Sequence, residues 1–337
     1  MLLLASQVIS LIRRLLPSDS ATPSAIDAEA AGETLWDLSA AHQHVPLLLR
    51  NSLPRAAAAA LLHDDPSPSG RLQEVLLGCL ANLAACGFAA ALAEDSAVVL
   101  AVVGAGLCGS SDPAALAEAC RCLRAAASYD TWRDALYDTD GACERAVSLL
   151  GTALHAPAVR QAADLVSSLW LAGSSRDRAA LLEAGAVPAA LAALAALPRL
   201  GGGDAHAAAD AAARCVEAVA SDAAAVPGLA DALASGALQR AFLPLLADVE
   251  AAPALAASAC IALASVMAAL QASGDGAATD AVVALLQALA ADGDALATMQ
   301  ALADDSGWLS GGDAAAQEAA AELLDVLRAF TCDAPDG

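Results

Sequence analysis

Gly104, Gly106 and Gly109 follow the apolar run AVVLAVV and satisfy the spacing G-x-G-x-x-G. Glycines so spaced can bring backbone amides onto a dinucleotide pyrophosphate, with a helix N-terminus behind them meeting its charge. That chemistry needs the helix to begin inside the glycine loop. Here Ser110, Ser111, Asp112 and Pro113 follow at once and open a helix of their own, and no second strand–helix–strand unit appears. A dinucleotide-binding enzyme is therefore the last of three functional readings, and no cofactor-binding residue is assigned.

Metal and acid–base chemistry fare no better. His42-x-His44 and Cys120-x-Cys122 could ligate a metal by residue type. Two apart on a helix, they face different directions, and no second pair completes a four-ligand zinc set. Asp292, Asp294, Asp304 and Asp305 lack the alternating ligand series of a calcium loop and read as helix caps. The histidines have no nucleophile motif such as G-x-S-x-G beside them. The expectation is a protein with no catalytic residue, no metal and no cofactor.

The elements that would hold any site are helices. Of 337 residues, 58% are hydrophobic and only 3% aromatic. Long Ala/Leu runs favour helix and disfavour sheet. All 16 basic residues are arginine, which reads as GC-rich codon usage, and 39 acidic residues give a net charge of −23. Such a surface has no basic stripe to replace counterions on phosphate, so nucleic acid is not an expected partner. It suits solubility, or a basic protein partner. The nine cysteines include no C-x-x-C and fall mostly in apolar helical runs, as buried reduced thiols of an intracellular protein would.

Two segments raise the question of membranes and targeting. Leu4, Val8, Leu11 and Leu15 recur at helical spacing, and Arg13-Arg14 interrupt the apolar stretch. A first solenoid helix fits better than a signal peptide, with a transit peptide as the alternative. The uncharged stretch from Ala251 to Gly274 is long enough to span a bilayer. It is mostly Ala and Ser, contains Pro253 and has acidic rather than basic flanks, so a buried helix and no membrane partner are expected.

Three segments repeat: RLQEVLLGCLANLAA from Arg71, ALAEACRCLRAAAS from Ala115 and AVRQAADLVSSLWLA from Ala158. Leu72, Leu116 and Val159 then correspond, as do Cys79, Leu123 and Val166, and Leu83, Ala127 and Trp170. Looser copies start at Ala208 and Ala254. Periods in the forties match armadillo or HEAT units of two or three helices. Gly185 stops one helix and Pro188 opens the next, while Asp112 before Pro113 caps another. The loops are short, so one domain is expected over 1–337. It comprises an N-terminal helix and loop (1–34), helical repeats (35–332) and a tail (333–337). The fold class is an all-α, armadillo/HEAT-like right-handed solenoid of about five to six repeats, whose stacked units share one core and leave a concave face.

Candidate contact residues are few. In peptide-binding armadillo proteins an Asn on the last helix of successive repeats holds a peptide backbone, since an amide offers both donor and acceptor. Asn82 occupies that place, but the aligned positions are Ala126, Leu169, Ala218 and Ser265. One rung does not make a ladder, and Asn82 could equally satisfy a local backbone group. Among Trp36, Trp132, Trp170 and Trp308, Trp170 lies in the repeating register and reads as core. Trp36 and Trp132 lie nearer helix ends and are the better contact candidates.

The motifs LWDLSAAHQHVPLLL (Leu35–Leu49), RLQEVLLGCLANLAA (Arg71–Ala85) and SSDPAALAEACRCLRAA (Ser110–Ala126), with Trp132 beyond, resemble the serum amyloid A-like family. These are armadillo-type proteins linked to cell proliferation. The matching positions are Trp36 to Ser39, Arg71 to Ala84 and Ser111 to Glu118. The resemblance implies a non-enzymatic, intracellular scaffold, nuclear or nucleocytoplasmic, that binds a protein partner in growth control; the chain is separately expected to be a monomer. A chaperone cofactor of nucleotide-exchange type is the second reading.

Overall fold

The computed structural model describes residues 2–16, 25–63, 68–152, 154–247, 252–274, 276–304 and 313–332. Among them every regular element is a helix. Seven long helices lie side by side in chain order: α1 (Ala25–Ala40), α2 (Gly70–Leu83), α3 (Pro113–Ala126), α4 (Ala156–Ala172), α5 (Gly203–Ala220), α6 (Pro253–Ala272) and α7 (Ala314–Cys332). Each packs on the next.

From α2 onward each of these is the third helix of a unit. Before α4 come Asp130–Asp138 and Ala142–Thr152; before α5 come Ser175–Glu183 and Ala186–Ala196. The middle helices form a second layer, running from Ala142–Thr152 to Ala186–Ala196, Ala237–Ala247 and Gly293–Ala303. Six three-helix units therefore follow an N-terminal pair made by Leu2–Leu15 and α1. This is the armadillo-like α-solenoid expected from the repeat period.

Local chemistry sets the helix ends. The Asp112 carboxylate accepts from the amides of Ala114 and Ala115, with Pro113 just inside α3. Ser69 caps α2 by accepting from the Leu72 amide. Ser174 and Asp177 form a reciprocal capping box. Gly185 takes the left-handed conformation between two helices. Asp292 caps Gly293–Ala303, and Asp304 ends the same helix while accepting from Gln300. These are the cap roles expected of the two aspartates; Asp305, Trp308 and the Pro17–Pro23 loop lie outside the described residues.

The core runs between the layers. In α2, Val75, Leu76, Leu77, Cys79, Leu80, Ala81 and Leu83 are all fully buried. Burial pushes the thiols of Cys79, Cys120, Cys122, Cys215 and Cys260 up to about 12, which keeps them protonated and unreactive. Gly70–Ala93 and Pro253–Ala272 are long and apolar enough to cross a membrane. Both lie inside the stack, between α1 and α3 and between α5 and α7, and more than half of the most apolar stretch of each is buried there.

The glycine motif is helical. Gly104 and Gly106 sit within the helical segment Ala101–Cys108, and Gly109 closes it by donating its amide to the Gly104 carbonyl at 2.8 Å. A Cβ at Gly106 would fall 2.8 Å from Leu77 Cδ2 and 3.3 Å from Ala119 Cβ. Gly106 is thus needed for close approach of this segment to α2 and α3, which accounts for it without a phosphate.

Candidate partner-binding face

The seven stacked helices each turn one face away from the core, and these faces carry the polar side chains. At the N-terminal end, Trp36 of α1 packs on α2 at Gly78. A Cβ at Gly78 would come within 2.5 Å of the indole, so glycine is required beneath the ring. Trp36 is half-buried, and the Arg71 guanidinium sits 5.6 Å from its ring centroid. Arg71 is held there by Glu33 of α1 at 2.8 Å and Glu74 at 2.6 Å.

Asn82 is drawn into the same junction. Its Nδ2 donates to Ser39 Oγ at 2.9 Å and to the Trp36 carbonyl at 3.4 Å. Its Oδ1 accepts from Arg121 Nη1 of α3 at 2.8 Å. Arg121 also reaches the Gly78 carbonyl and Glu118. The amide is occupied by groups from two neighbouring helices, α1 and α3, in line with the alternative of a local structural role.

Trp132 corrects its expectation. It is 1% exposed, and its Nε1 donates to the Ala89 carbonyl at 2.9 Å. The indole fills the interior between units and offers no surface to a partner. Trp170 is equally buried, as its register predicts. Cys120 and Cys122 are both in the core, and among the described residues no cluster of His, Cys, Asp and Glu could hold a metal.

Further along the stack the face opens into a groove of about 730 Å³ over α4, α5 and α6. That volume lies within the range of ligand-binding clefts, about 300–1,000 Å³. Asp164 is among its lining residues and receives two arginines. Arg124 of α3 donates to its Oδ2 at 2.9 Å and Arg214 of α5 to its Oδ1 at 3.3 Å. Arg214 also pairs with Asp210, which accepts from Ser258 Oγ of α6 at 2.5 Å. One chain of polar contacts therefore crosses four helices.

Glu217 and Ser265 line the groove without joining that chain, and no described residue bonds either side chain. Partial burial raises the Glu217 pKa above the usual carboxylate value, with Arg214 opposing the shift. Leu171, at 67% exposed, forms an apolar edge, and Ala218, Ala268 and Ala269 are also among the lining residues. The arrangement offers a ligand charge, hydroxyls and an apolar edge.

Sequence reasoning missed this groove. The signal was present as charged residues at 124, 164 and 214 on otherwise Ala-rich helices, but they are 40 and 50 residues apart. The Asn82 alignment also slips. Ala126 and Leu169 are buried, so the outward row passes through Ala125 and Ser168, one residue earlier. Ala218 and Ser265 do lie on it, beside Ser168 in the groove.

No family model matches this chain, and no curated protein does. The resemblance carried by Leu35–Trp132 therefore rests on its motifs. Solved structures do match in fold. A computationally designed armadillo repeat protein for modular peptide recognition has a TM-score of 0.57 at 17% identity, covering 77% of this chain and 99% of that one. A designed armadillo repeat protein in complex with the peptide (KR)4 has a TM-score of 0.50 at 17% identity, over 83% of this chain and 98% of that one. Uso1-2 has a TM-score of 0.59 at 13% identity; 94% of this chain covers 50% of that one.

Proposed function

We propose that this armadillo-like solenoid is a non-enzymatic scaffold that holds a segment of a protein partner across the outward face of its stacked helices. The observation that carries the reading is the groove over α4–α6, whose Glu217 and Ser265 bond to nothing else described in the chain. The surplus of acidic residues, 39 against 16, supports a basic partner. The designed relatives made for peptide recognition, one of them bound to (KR)4, support peptide binding as a use of this fold. Trp36, half-buried beside Arg71 on the same face, is proposed as a further contact; Asn82 supports it from beneath.

Within this reading, the resemblance to serum amyloid A-like proteins supports a role in growth control in the nucleus or cytoplasm, and the chain is proposed to act as a monomer. The test is affinity capture of the tagged protein from extract of its own cells, in parallel with Ala218→Trp, which fills the groove, and Trp36→Ala. A specific protein retained by the wild type and lost by Ala218→Trp is the expected result. Equal recovery by all three forms would move the binding surface elsewhere. Recovery of chaperones alone, released by ATP, would transfer the function to a chaperone cofactor.

A further inference from the structure

The groove has a chemistry more specific than general acidity, and it rests on the scaffold reading above. Its lining carries two carboxylates, Asp164 and Glu217, and two guanidiniums, Arg124 and Arg214, with Asp210 outside the lining but paired to Arg214. Both arginines are committed to Asp164 and Asp210. Glu217 is the carboxylate left over, and it is partly withdrawn from water. A carboxylate so placed is stabilised by a cation that enters with the ligand.

The remaining lining sets what flanks that cation. Leu171 is the largest exposed apolar side chain in the groove, and Ala218, Ala268 and Ala269 line the same space with small ones. Ser265 carries an unbonded hydroxyl, suited to a backbone amide or carbonyl. Helices packed about 8–10 Å apart put α4 and α6 some 16–20 Å apart, a distance that about six extended residues span at roughly 3.3 Å each.

We propose that the groove binds an extended segment of about six residues carrying one lysine or arginine, which pairs with Glu217, and an aliphatic side chain that packs on Leu171. The backbone between them lies over Ser265. Glu217 keeps acidic segments out, because Arg124 and Arg214 are already paired with Asp164 and Asp210 and leave its negative charge unopposed. One basic residue is read at this subsite, not a run of alternating charges.

The test pans a phage-displayed library of random heptapeptides on the immobilised full-length protein and measures the winners as fluorescein-labelled peptides by anisotropy. Winners are expected to share one Lys or Arg with an aliphatic residue close by. Glu217→Gln, nearly isosteric, is expected to weaken them at least tenfold. Glu217→Arg is expected to bind a peptide in which Glu replaces the basic residue. Leu171→Asp is expected to weaken binding with the charge contact intact. Circular dichroism and melting verify that each variant folds.

Winners that bind Glu217→Gln as tightly as the wild type overturn this inference; if Ala218→Trp still abolishes their binding, the scaffold reading stands. Winners indifferent to Ala218→Trp as well, or no enrichment at all, overturn both.

Discussion

Glu217 is held in the groove against the interest of the fold. Its folded pKa lies above the 4.5 of a free glutamate, because partial burial outweighs the attraction of Arg214. The ionised side chain therefore destabilises the native state above that folded value. The penalty fades as pH falls through the window and is gone below 4.5, where both states are protonated. Glu217→Gln should accordingly melt slightly higher than the wild type at pH 7 and converge with it near pH 4, in thermal melts followed by circular dichroism. Such a gain in stability at the expense of binding is characteristic of a functional position. Leu83 is the opposite case. It is fully buried, so Leu83→Asp should cost on the order of 3 kcal/mol through an unpaired charge. An unchanged denaturant midpoint would show that Leu83 does not face the core. At Gly78, alanine would drive a methyl into the Trp36 indole, and Gly78→Ala should cost about 1–3 kcal/mol by overpacking. Displacement of the ring should also red-shift tryptophan emission; unchanged emission and stability would place the indole elsewhere.

Between helices, the decisive residues are those that tie one unit to the next. Asp164 receives arginines from both sides, Arg124 of α3 and Arg214 of α5. Asp164→Ala should lower stability by about 1 kcal/mol, since partly exposed ion pairs contribute about 0.2–1 kcal/mol each. The loss should shrink as salt screens the wild-type pairs, and a salt-independent loss would point to packing instead. The caps at this scale were legible in the sequence: Asp112 with Pro113, Gly185 and Asp292 all act where their types and positions indicate. Gly106 was not. Its spacing suggested a phosphate loop, whereas its role is to let Ala101–Cys108 press against Leu77 and Ala119, and those contacts come from two other helices.

Over the whole molecule, contacts pass from each long helix to the next, so stability is distributed as a sum of units and their interfaces. Seven helices at about 8–10 Å spacing give a stack roughly 50–60 Å long. Small-angle scattering should show an elongated particle, and a compact sphere would contradict the stacking. Hydrogen exchange should be slowest in α3, α4 and α5 at the middle of the stack, and faster in Leu2–Leu15 and α7 at the ends.

The sequence by itself determined the helices, their caps, the repeat period in the forties and the acidic balance, because each depends on neighbours within a turn or on composition alone. Those are enough for an armadillo-like solenoid. Only the tertiary structure decided which side chains meet: Asn82 with Arg121 and Ser39, Trp132 with Ala89, Arg124 and Arg214 on Asp164. The units differ in length, and the chain from Asp164 to its partner Arg214 is longer than that from Arg124 to Asp164. A register read by comparison can therefore slip by one residue. On a helix of 3.6 residues per turn, that slip rotates a side chain by about 100°. It is the difference between Leu169 in the core and Ser168 in the groove.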